Sequence, residues 1–230
     1  MNILHASSEV FPYSKTGGLA DATAALAKAQ AAAGHAVTLV TPLYRGIREK
    51  FDGLKPLGRA RMPAKVWRLE PSPNLTVLFI DEPEWFDRDG LYGHADDAER
   101  FIFFSKCVAH LARRAEIVNA HDWQGGLVMP LLGDAPVGKV FTIHNDKFEL
   151  TGLPKSFFDW RQLEFHGGVS FLKGGIVFAD LVTTVSPRYA RELLTEEYGC
   201  GLEGVFQARG DALTGVLNGV DYTEWNTTDN

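Results

Sequence analysis

A lysine followed by two glycines at the start of a helix-forming segment is the feature that points most directly to chemistry. Lys15 precedes Gly17 and Gly18, and an alanine-rich stretch at residues 19–33 follows them. Glycines let backbone N–H groups approach an anion closely, and both the helix dipole and the lysine charge favour a negative ligand there. The spacing is neither a P-loop nor a G-x-G-x-x-G fingerprint. The segment predicts a phosphate or diphosphate site, with a glycine-rich turn and a surface lysine as the alternative interpretation.

Polar side chains also follow the apolar stretches that are typical of buried strands. These polar residues are Ser7, Ser8, Glu9, His121, Asp122, His144, Asn145, Ser186, Asn218 and Asp221. In an open α/β sheet, ligands bind beyond the carboxyl ends of the strands, so we expect these side chains to gather at one edge of the sheet.

The histidines allow more than one interpretation. His144 follows a β-branched and aromatic stretch, so it is either a site residue or a core histidine that is bonded to the backbone. His121, His144, His166 and Asp122 carry metal-ligating atoms, but no H-x-x-x-H or other ligand spacing is present, so we predict no metal. The sequence also lacks a G-x-S-x-G elbow and a recognisable acid–base pair of carboxylates, which argues against a serine hydrolase and a glycosidase.

Strand-like and helix-like segments alternate along the chain and must position these residues. Strands are predicted at residues 3–7, 37–40, 75–80, 117–120, 140–143, 181–185 and 216–217. Helices are predicted at residues 19–33, 98–114, 123–132, 169–178 and 187–198, the last with Ser186 as its N-cap. Such alternation predicts an α/β fold with a mostly parallel sheet and helices on both faces.

Length and composition exclude several classes of protein. The chain has 230 residues, of which 45% are hydrophobic and 23% charged, so it can bury a core and is not a disordered chain. Its net charge of −6 argues against a nucleic-acid partner. Two cysteines, Cys107 and Cys200, exclude a disulfide scaffold and fit a reducing compartment. Because no run of 18 apolar residues and no signal-peptide pattern occurs, we expect a cytoplasmic protein without membrane contact.

Eight ordered stretches carry a resemblance that covers essentially the whole chain. They are residues 3–10, Lys15-Thr16-Gly17-Gly18-Leu19-Ala20-Asp21, residues 97–101, His121-Asp122-Trp123-Gln124, Phe141-Thr142-Ile143-His144-Asn145, residues 171–176, residues 184–187 and residues 216–221. In type and order these stretches resemble the bacterial glycogen synthases and the plant starch synthases. The resemblance implies an enzyme that transfers glucose, with retention, from a nucleotide sugar such as ADP-glucose to the non-reducing end of an α-1,4-glucan.

The resemblance also implies an architecture. Members of that family have two facing Rossmann-like domains of the GT-B type, with the active site in the cleft between them. We therefore expect residues 1–220 to form the acceptor-side domain and residues 221–230 to begin an interdomain linker, with the C-terminal nucleotide-binding domain absent. The expected partners are a nucleotide sugar, a glucan and that missing domain, and the 230-residue chain alone is expected to be inactive.

Four residues receive donor-binding roles from the resemblance. Lys15 and the backbone of Gly17 and Gly18 would face the donor diphosphate. Asn218 would touch the sugar from the interdomain side. No cofactor is implied, because ADP-glucose is itself the donor substrate.

Three residues receive catalytic roles from the same resemblance. Asp21 and Asp122 would hydrogen-bond hydroxyl groups of the glucosyl unit or the acceptor, and His144 would contact the transferred glucose near the reacting carbon. The sequence departs from the family pattern at Asp146-Lys147 and at His166, and both departures affect the expected handling of the acceptor.

Other functions stay open at this point. A related two-domain glycosyltransferase with another acceptor would share these motifs, and the donor base, adenine or uracil, is not readable from them. A non-catalytic glucan-binding or regulatory module would bind glycogen without transferring glucose. A Rossmann oxidoreductase is disfavoured because the G-x-G-x-x-G turn is missing.

Overall fold

The computed structural model describes residues 1–57, 64–145, 161–222 and 224–225. Its strands are β1 (Asn2–Ala6), β2 (Ala36–Pro42), β3 (Lys55–Pro56), β4 (Lys65–Ser72), β5 (Leu75–Asp81), β6 (Ile117–His121), β7 (Gly138–Ile143), β8 (Glu164–Phe165), β9 (Gly168–Val169), β10 (Leu181–Thr184) and β11 (Leu213–Gly215). Its helices are α1 (Gly18–Ala32), α2 (Ile47–Lys50), α3 (Pro83–Phe86), α4 (Asp97–Leu111), α5 (Asp122–Gly126), α6 (Val128–Leu132), α7 (Phe171–Phe178), α8 (Pro187–Glu192), α9 (Glu196–Gly199) and α10 (Glu203–Gln207). Within these ranges, no helix has the length and apolar character that a membrane span requires.

In the described part of the chain, nine strands form one sheet in the order β11-β10-β7-β6-β1-β2-β5-β4-β3. The strands from β11 to β5 run parallel, and β4 and β3 add an antiparallel edge. The chain order reverses between β1 and β6, because β2 and β5 lie on one side of β1 while β7 and β10 lie beyond β6. A reversal of this kind is where open α/β sheets bind their ligands. The predicted mostly parallel α/β sheet is confirmed.

The central strands form because their side chains are buried on both faces of the sheet. Ala6, Val40, Ala120 and Phe141 are fully buried, as expected for parallel strands that are covered by helices. Ala6 pairs in register with both Val40 and Ala120. The small side chain of Ala120 lets α5 approach closely, since a Cβ on Gly125 would lie only 3.2 Å from the Cβ of Ala120.

Helices cover both faces of the sheet, as predicted. Successive residues of a strand point to opposite faces, so His5 and Ala6 of β1 face different layers. The imidazole of His5 contacts Gln30 of α1. Ala6 shares its face with its register partner Ala120, against which Gly125 of α5 packs. Helix α1 therefore covers one face and α5 the other.

The last predicted strand is wrong in position. Residues 216–217 were expected to pair, but β11 ends at Gly215, and Val216 and Leu217 are exposed. A Cβ on Gly215 would lie 2.2 Å from the carbonyl oxygen of Ser186, so the strand needs a glycine at this crowded point. The backbone N–H of Val216 still donates to the carbonyl oxygen of Thr184 at 2.8 Å, and the chain then leaves the sheet.

Some helix boundaries also differ from the prediction. The segment 123–132 forms two short helices, α5 and α6, and the segment 187–198 is divided between α8 and α9. Helix α7 begins at Phe171 and not at residue 169, because the Ser170 hydroxyl caps it by accepting the N–H of Lys173 at 3.1 Å. The predicted N-cap is confirmed, since the Ser186 hydroxyl accepts the N–H of Tyr189 at 3.0 Å.

Candidate active site at the reversal of the strand order

The candidate active site lies at the carboxyl ends of β1 and β6, where the strand order reverses. A cavity of about 760 Å³ opens there, and its lining includes Glu9, Thr16, Gly17, Tyr92, Asp122 and Asn145. The loop after β1, the start of α1 and the ends of β6 and β7 supply eight of its fourteen lining residues, and the segment 92–98, which leads into α4, supplies the other six. The sequence-based expectation that polar residues gather at one edge of the sheet is confirmed for Glu9, Asp122 and Asn145.

The buried carboxylate of Glu9 holds the glycine loop that leads into α1. Its Oε2 accepts the backbone N–H of Thr16 at 2.5 Å and that of Gly17 at 3.3 Å. Its Oε1 accepts the hydroxyls of Thr16 at 2.6 Å and Tyr92 at 2.8 Å. Because one carboxylate accepts from two backbone N–H groups and two hydroxyls, Glu9 fixes this backbone firmly. The sequence predicts Glu9 at this edge of the sheet, but its hold on the glycine loop depends on contacts that only the fold creates.

Tyr92 reaches Glu9 because a buried arginine holds the preceding loop. Arg100 of α4 is fully buried, donates from Nε to the carbonyl of Trp85 at 2.7 Å, and pairs with Asp97. A buried guanidinium must be paired and hydrogen-bonded, so these acceptors fix the position of the loop around Arg100. Neither Arg100 nor Tyr92 was assigned a site role from the sequence, because their partners are fixed by tertiary contacts.

Gly17 and Gly18 leave open space at the start of α1. Neither glycine has a positive φ, and a Cβ built on either would meet no described atom within 4 Å. Backbone strain and crowding by the protein therefore do not explain the two glycines. The first N–H groups of a helix have no partner within the helix, so this position suits an anion that approaches the backbone closely.

The ammonium group of Lys15 lies at the same helix start. Its Nζ is 2.7 Å from Oδ2 of Asp21, and it lies 5.5 Å from the ring centroid of Phe11 and 5.6 Å from that of Trp225. The Lys15 side chain is 40% exposed, and exposed ion pairs contribute little to stability. A more highly charged anion can therefore compete with Asp21 for Lys15. Lys15 and Asp21, which the sequence assigned to donor binding and catalysis, contact each other here.

Asp122 ties the end of β6 to the end of β7. Its Oδ1 accepts the backbone N–H of His144 at 2.7 Å and that of Asn145 at 3.3 Å, and its Oδ2 accepts the Asn145 side-chain amide at 2.5 Å. Burial raises the pKa of Asp122 to about 6, although these donors oppose the rise. Asp122 also has a φ of +53°, a strained conformation that aspartate tolerates better than most residues. Asp122 thus positions His144 and lines the cavity as well.

His144 is the last member of a line of three imidazoles. Its Nε2 lies 2.9 Å from Nδ1 of His121, and Nε2 of His121 lies 3.1 Å from Nδ1 of His5. Burial lowers the pKa of His144 and of His5 to about 4, and it lowers the pKa of His121 well below its ordinary value. All three rings are therefore neutral at pH 7. His144 is bonded to another side chain and not only to backbone, which disfavours the simple core-histidine interpretation.

Asn218 joins two further cavities that flank α1. One of about 530 Å³ is lined by His144, Asn218 and the alanines of α1, and another of about 490 Å³ is lined by Gly18, Asp21 and Asn218. Because Asn218 lines both cavities, it lies between His144 and the start of α1. The residues that the sequence assigned to the site divide among three cavities: Gly17 and Asp122 line the first, His144 and Asn218 the second, and Gly18, Asp21 and Asn218 the third, while Lys15 pairs with Asp21.

The other histidine of the sequence analysis lies elsewhere in the fold. His166 occupies the turn between β8 and β9 with a φ of +46°, and the centroid of its ring lies 4.3 Å from that of the Phe165 ring. Over the described ranges, no group of three or more potential metal ligands occurs. The departure from the family pattern at Asp146-Lys147 lies outside the described residues.

Comparisons with known proteins identify the family of this chain. The family model for the starch synthase catalytic domain matches residues 2–208. The chain is 41% identical to the glycogen synthase of Opitutus terrae, covering 98% of the chain and 54% of that protein. It is 41% identical to the glycogen synthase of Koribacter versatilis, covering 98% and 53%. The chain therefore spans about half the length of the curated relatives that it matches.

Solved structures also match the fold of this chain. The chain matches the catalytic domain of starch synthase IV from Arabidopsis thaliana bound to ADP and acarbose, with a TM-score of 0.81 and 30% identity, covering 97% of this chain and 52% of that one. A sucrose-phosphate synthase from Thermosynechococcus elongatus matches with a TM-score of 0.52 and 17% identity over 84% of this chain and 44% of that one, a likeness of fold alone.

Proposed function

The chain belongs to the starch synthase catalytic domain family, and from that membership we propose that it is the acceptor-side half of a retaining glucosyltransferase of glycogen synthesis. Glucose passes from ADP-glucose to the non-reducing end of an α-1,4-glucan. Relatives named glycogen synthase at 41% identity support this reaction. The ADP in the starch synthase IV relative supports an adenine donor.

The observation that carries the proposal is the open helix start beside a neutral histidine. The N–H of Gly17 already donates to Glu9, but the space at Gly17 and Gly18 gives a diphosphate access to the positive end of α1, and Lys15 adds a charge next to it. A sugar linked to that diphosphate extends toward Asn218 and His144, which line the adjoining cavities.

These residue types suit glucosyl transfer with retention. The bond between the anomeric carbon and the diphosphate oxygen breaks, a bond from the acceptor oxygen to the same face of that carbon forms, and the acceptor's hydroxyl proton passes to the departing diphosphate. Positive charge develops on the sugar in the transition state, so groups near the carbon must not be cationic. His144 meets this condition because burial lowers its pKa to about 4, and Lys15 stabilises the negative leaving group.

The proposal includes a second half that completes the site. Residues 1–220 form the acceptor-side domain, residues 221–230 begin a linker, and a C-terminal nucleotide-binding domain supplies further cations for the diphosphate. Exposed apolar side chains suited to packing against such a domain are Val216, Leu217, Val220, Tyr222 and Trp225. We place the enzyme in the cytoplasm, where reduced thiols such as Cys107 and Cys200 persist.

A transfer assay tests the proposed function. Glucose incorporation from labelled ADP-glucose into glycogen is measured for the product of the complete reading frame and for the 230-residue chain. We expect transfer by the complete product and none by the shorter chain, because catalysis needs the sugar held between two sets of groups with water excluded. Glycogen binding without transfer by the complete product would instead indicate a non-catalytic glucan-binding module. Transfer to a different acceptor would indicate a related glycosyltransferase.

A further inference from the structure

A continuous line of hydrogen bonds runs from helix α1 along one face of the sheet to His144. Oε1 of Gln30 lies 2.7 Å from Nε2 of His5, and the line continues through His121 to Nε2 of His144 at 3.1 and 2.9 Å. His5 and His121 are fully buried, and Gln30 is half-buried on α1. The three imidazoles come from β1, the end of β6 and the residue after β7, on the face of the sheet that α1 covers.

Neutral imidazoles force every bond in this line to point the same way. A neutral imidazole has one N–H donor and one acceptor nitrogen. If the Gln30 oxygen accepts the Nε2 proton of His5, Nδ1 of His5 must accept from His121. Nδ1 of His121 must then accept from His144, whose own Nδ1 is left without a proton. If the amide is turned so that its NH₂ group donates to His5, every bond reverses and Nδ1 of His144 carries the proton.

We propose that Gln30, acting through His5 and His121, sets the tautomer of His144 and so decides whether its Nδ1 presents a lone pair or a proton. Gln30, His5 and His121 are positioning residues in this sense. Nδ1 of His144 is the free end of the line, because it is buried and has no hydrogen-bond partner among the described residues. With the Gln30 oxygen facing His5, Nδ1 is an acceptor suited to a sugar hydroxyl, and that consequence rests on the proposed function.

Two substitutions at Gln30 fix the direction of the line in opposite senses. In Gln30→Glu the carboxylate can only accept, so the proton of His144 stays on Nε2. In Gln30→Lys the ammonium can only donate, so every bond of the line reverses and the proton of His144 moves to Nδ1. His5 and His121 lie between this proton and the substitution. Ala33→Glu and Ala33→Lys are matched controls, because Ala33 is exposed directly after α1 and lines none of the three cavities described above, so these variants add the same charges outside the line of hydrogen bonds.

The direct test is ¹⁵N NMR of the imidazole nitrogens at pH 8, where the rings stay neutral even beside a carboxylate. The resonances of His144 are assigned by their loss in His144→Asn, and folding of each variant is checked by circular dichroism. We expect an Nε2-protonated His144 in the wild type, in Gln30→Glu and in both Ala33 controls, and an Nδ1-protonated His144 in Gln30→Lys. A His144 tautomer that is the same in Gln30→Glu and Gln30→Lys would overturn the inference. If the lysine variant does not fold, Gln30→Met replaces it, and a tautomer that stays purely Nε2-protonated there would overturn the inference as well.

Activity separates this inference from the proposed function. In the complete product, Gln30→Lys is expected to lower kcat/KM for glucose transfer about tenfold, because an acceptor at Nδ1 becomes a donor. A tautomer that moves while transfer is unchanged supports the line of hydrogen bonds and contradicts the role of His144 in transfer.

Discussion

Replacing Asp122 by asparagine is expected to change how the stability of the chain depends on pH. Burial raises the pKa of Asp122 from 3.8 to about 6, so the folded state holds this proton more tightly than the unfolded state does. The contribution of Asp122 to the free energy of unfolding is therefore largest below pH 4 and is lost as the pH rises through 6. A rise of this size in the pKa corresponds to a loss of about 3 kcal/mol. The asparagine side chain cannot ionise and tolerates a positive φ, so the variant should fold without that loss.

The assay is urea unfolding of the wild type and of Asp122→Asn between pH 4 and pH 7. The free energy of unfolding of the wild type minus that of the variant should fall by about 3 kcal/mol over this range. Asp96→Asn is the matched control, because Arg88 lowers the pKa of Asp96 and the difference there should not fall with pH. A constant difference for Asp122→Asn would refute the claim that burial outweighs the three hydrogen bonds to the carboxylate.

Three further outcomes are expected. In the complete product, Lys15→Ala should lower turnover about a hundredfold, since the charge acts on the leaving diphosphate, while Lys106→Ala at an exposed position of α4 should keep most of the rate; a Lys15 variant above half the wild-type rate would refute the assignment. His144→Ala should abolish most transfer and leave the circular dichroism spectrum unchanged; a variant with wild-type transfer would remove His144 from the site. Burial lowers the pKa of His5 from 6.5 to about 4, so His5 takes up a proton at a higher pH in the unfolded state than in the folded state. The free energy of unfolding should therefore fall by about 3 kcal/mol as the pH is lowered from 6.5 to 4. His5→Phe should show a smaller fall in urea unfolding, and an equal fall would contradict this account of His5.

The parallel core of the sheet could be predicted because its strands are nearly continuous apolar stretches. The antiparallel edge could not, because β4 carries Lys65, Arg68 and Glu70 on its exposed positions and lacks a clean alternation. The strand predicted at residues 216–217 is wrong for the opposite reason, since Val216 and Leu217 are apolar but exposed. Apolar character predicts a strand only where the rest of the fold covers it.

The candidate site was predictable as a set of residues but not as a set of contacts. The rule that ligands bind at the carboxyl ends of parallel strands predicts that Asp122 and His144 lie at the same edge of the sheet as Gly18. The contact between His5 and Gln30 depends on which face of β1 meets α1, and that between His5 and His121 joins residues 116 positions apart. The pairing of Lys15 with Asp21, six positions on, likewise needed the geometry of the helix start.

The most direct test of the central claim is to map ADP-glucose on the 230-residue chain by amide NMR. The proposed half-site is expected to bind the donor weakly, with a Kd of about 1 mM, or about 4 kcal/mol of binding free energy. Saturable shifts at Gly17, Gly18, His144 and Asn218, which are absent when ADP-glucose is replaced by free glucose, are the predicted result. Shifts confined to another part of the chain, or no shift at these four amides at about 10 mM ADP-glucose, would contradict a donor site at the start of α1.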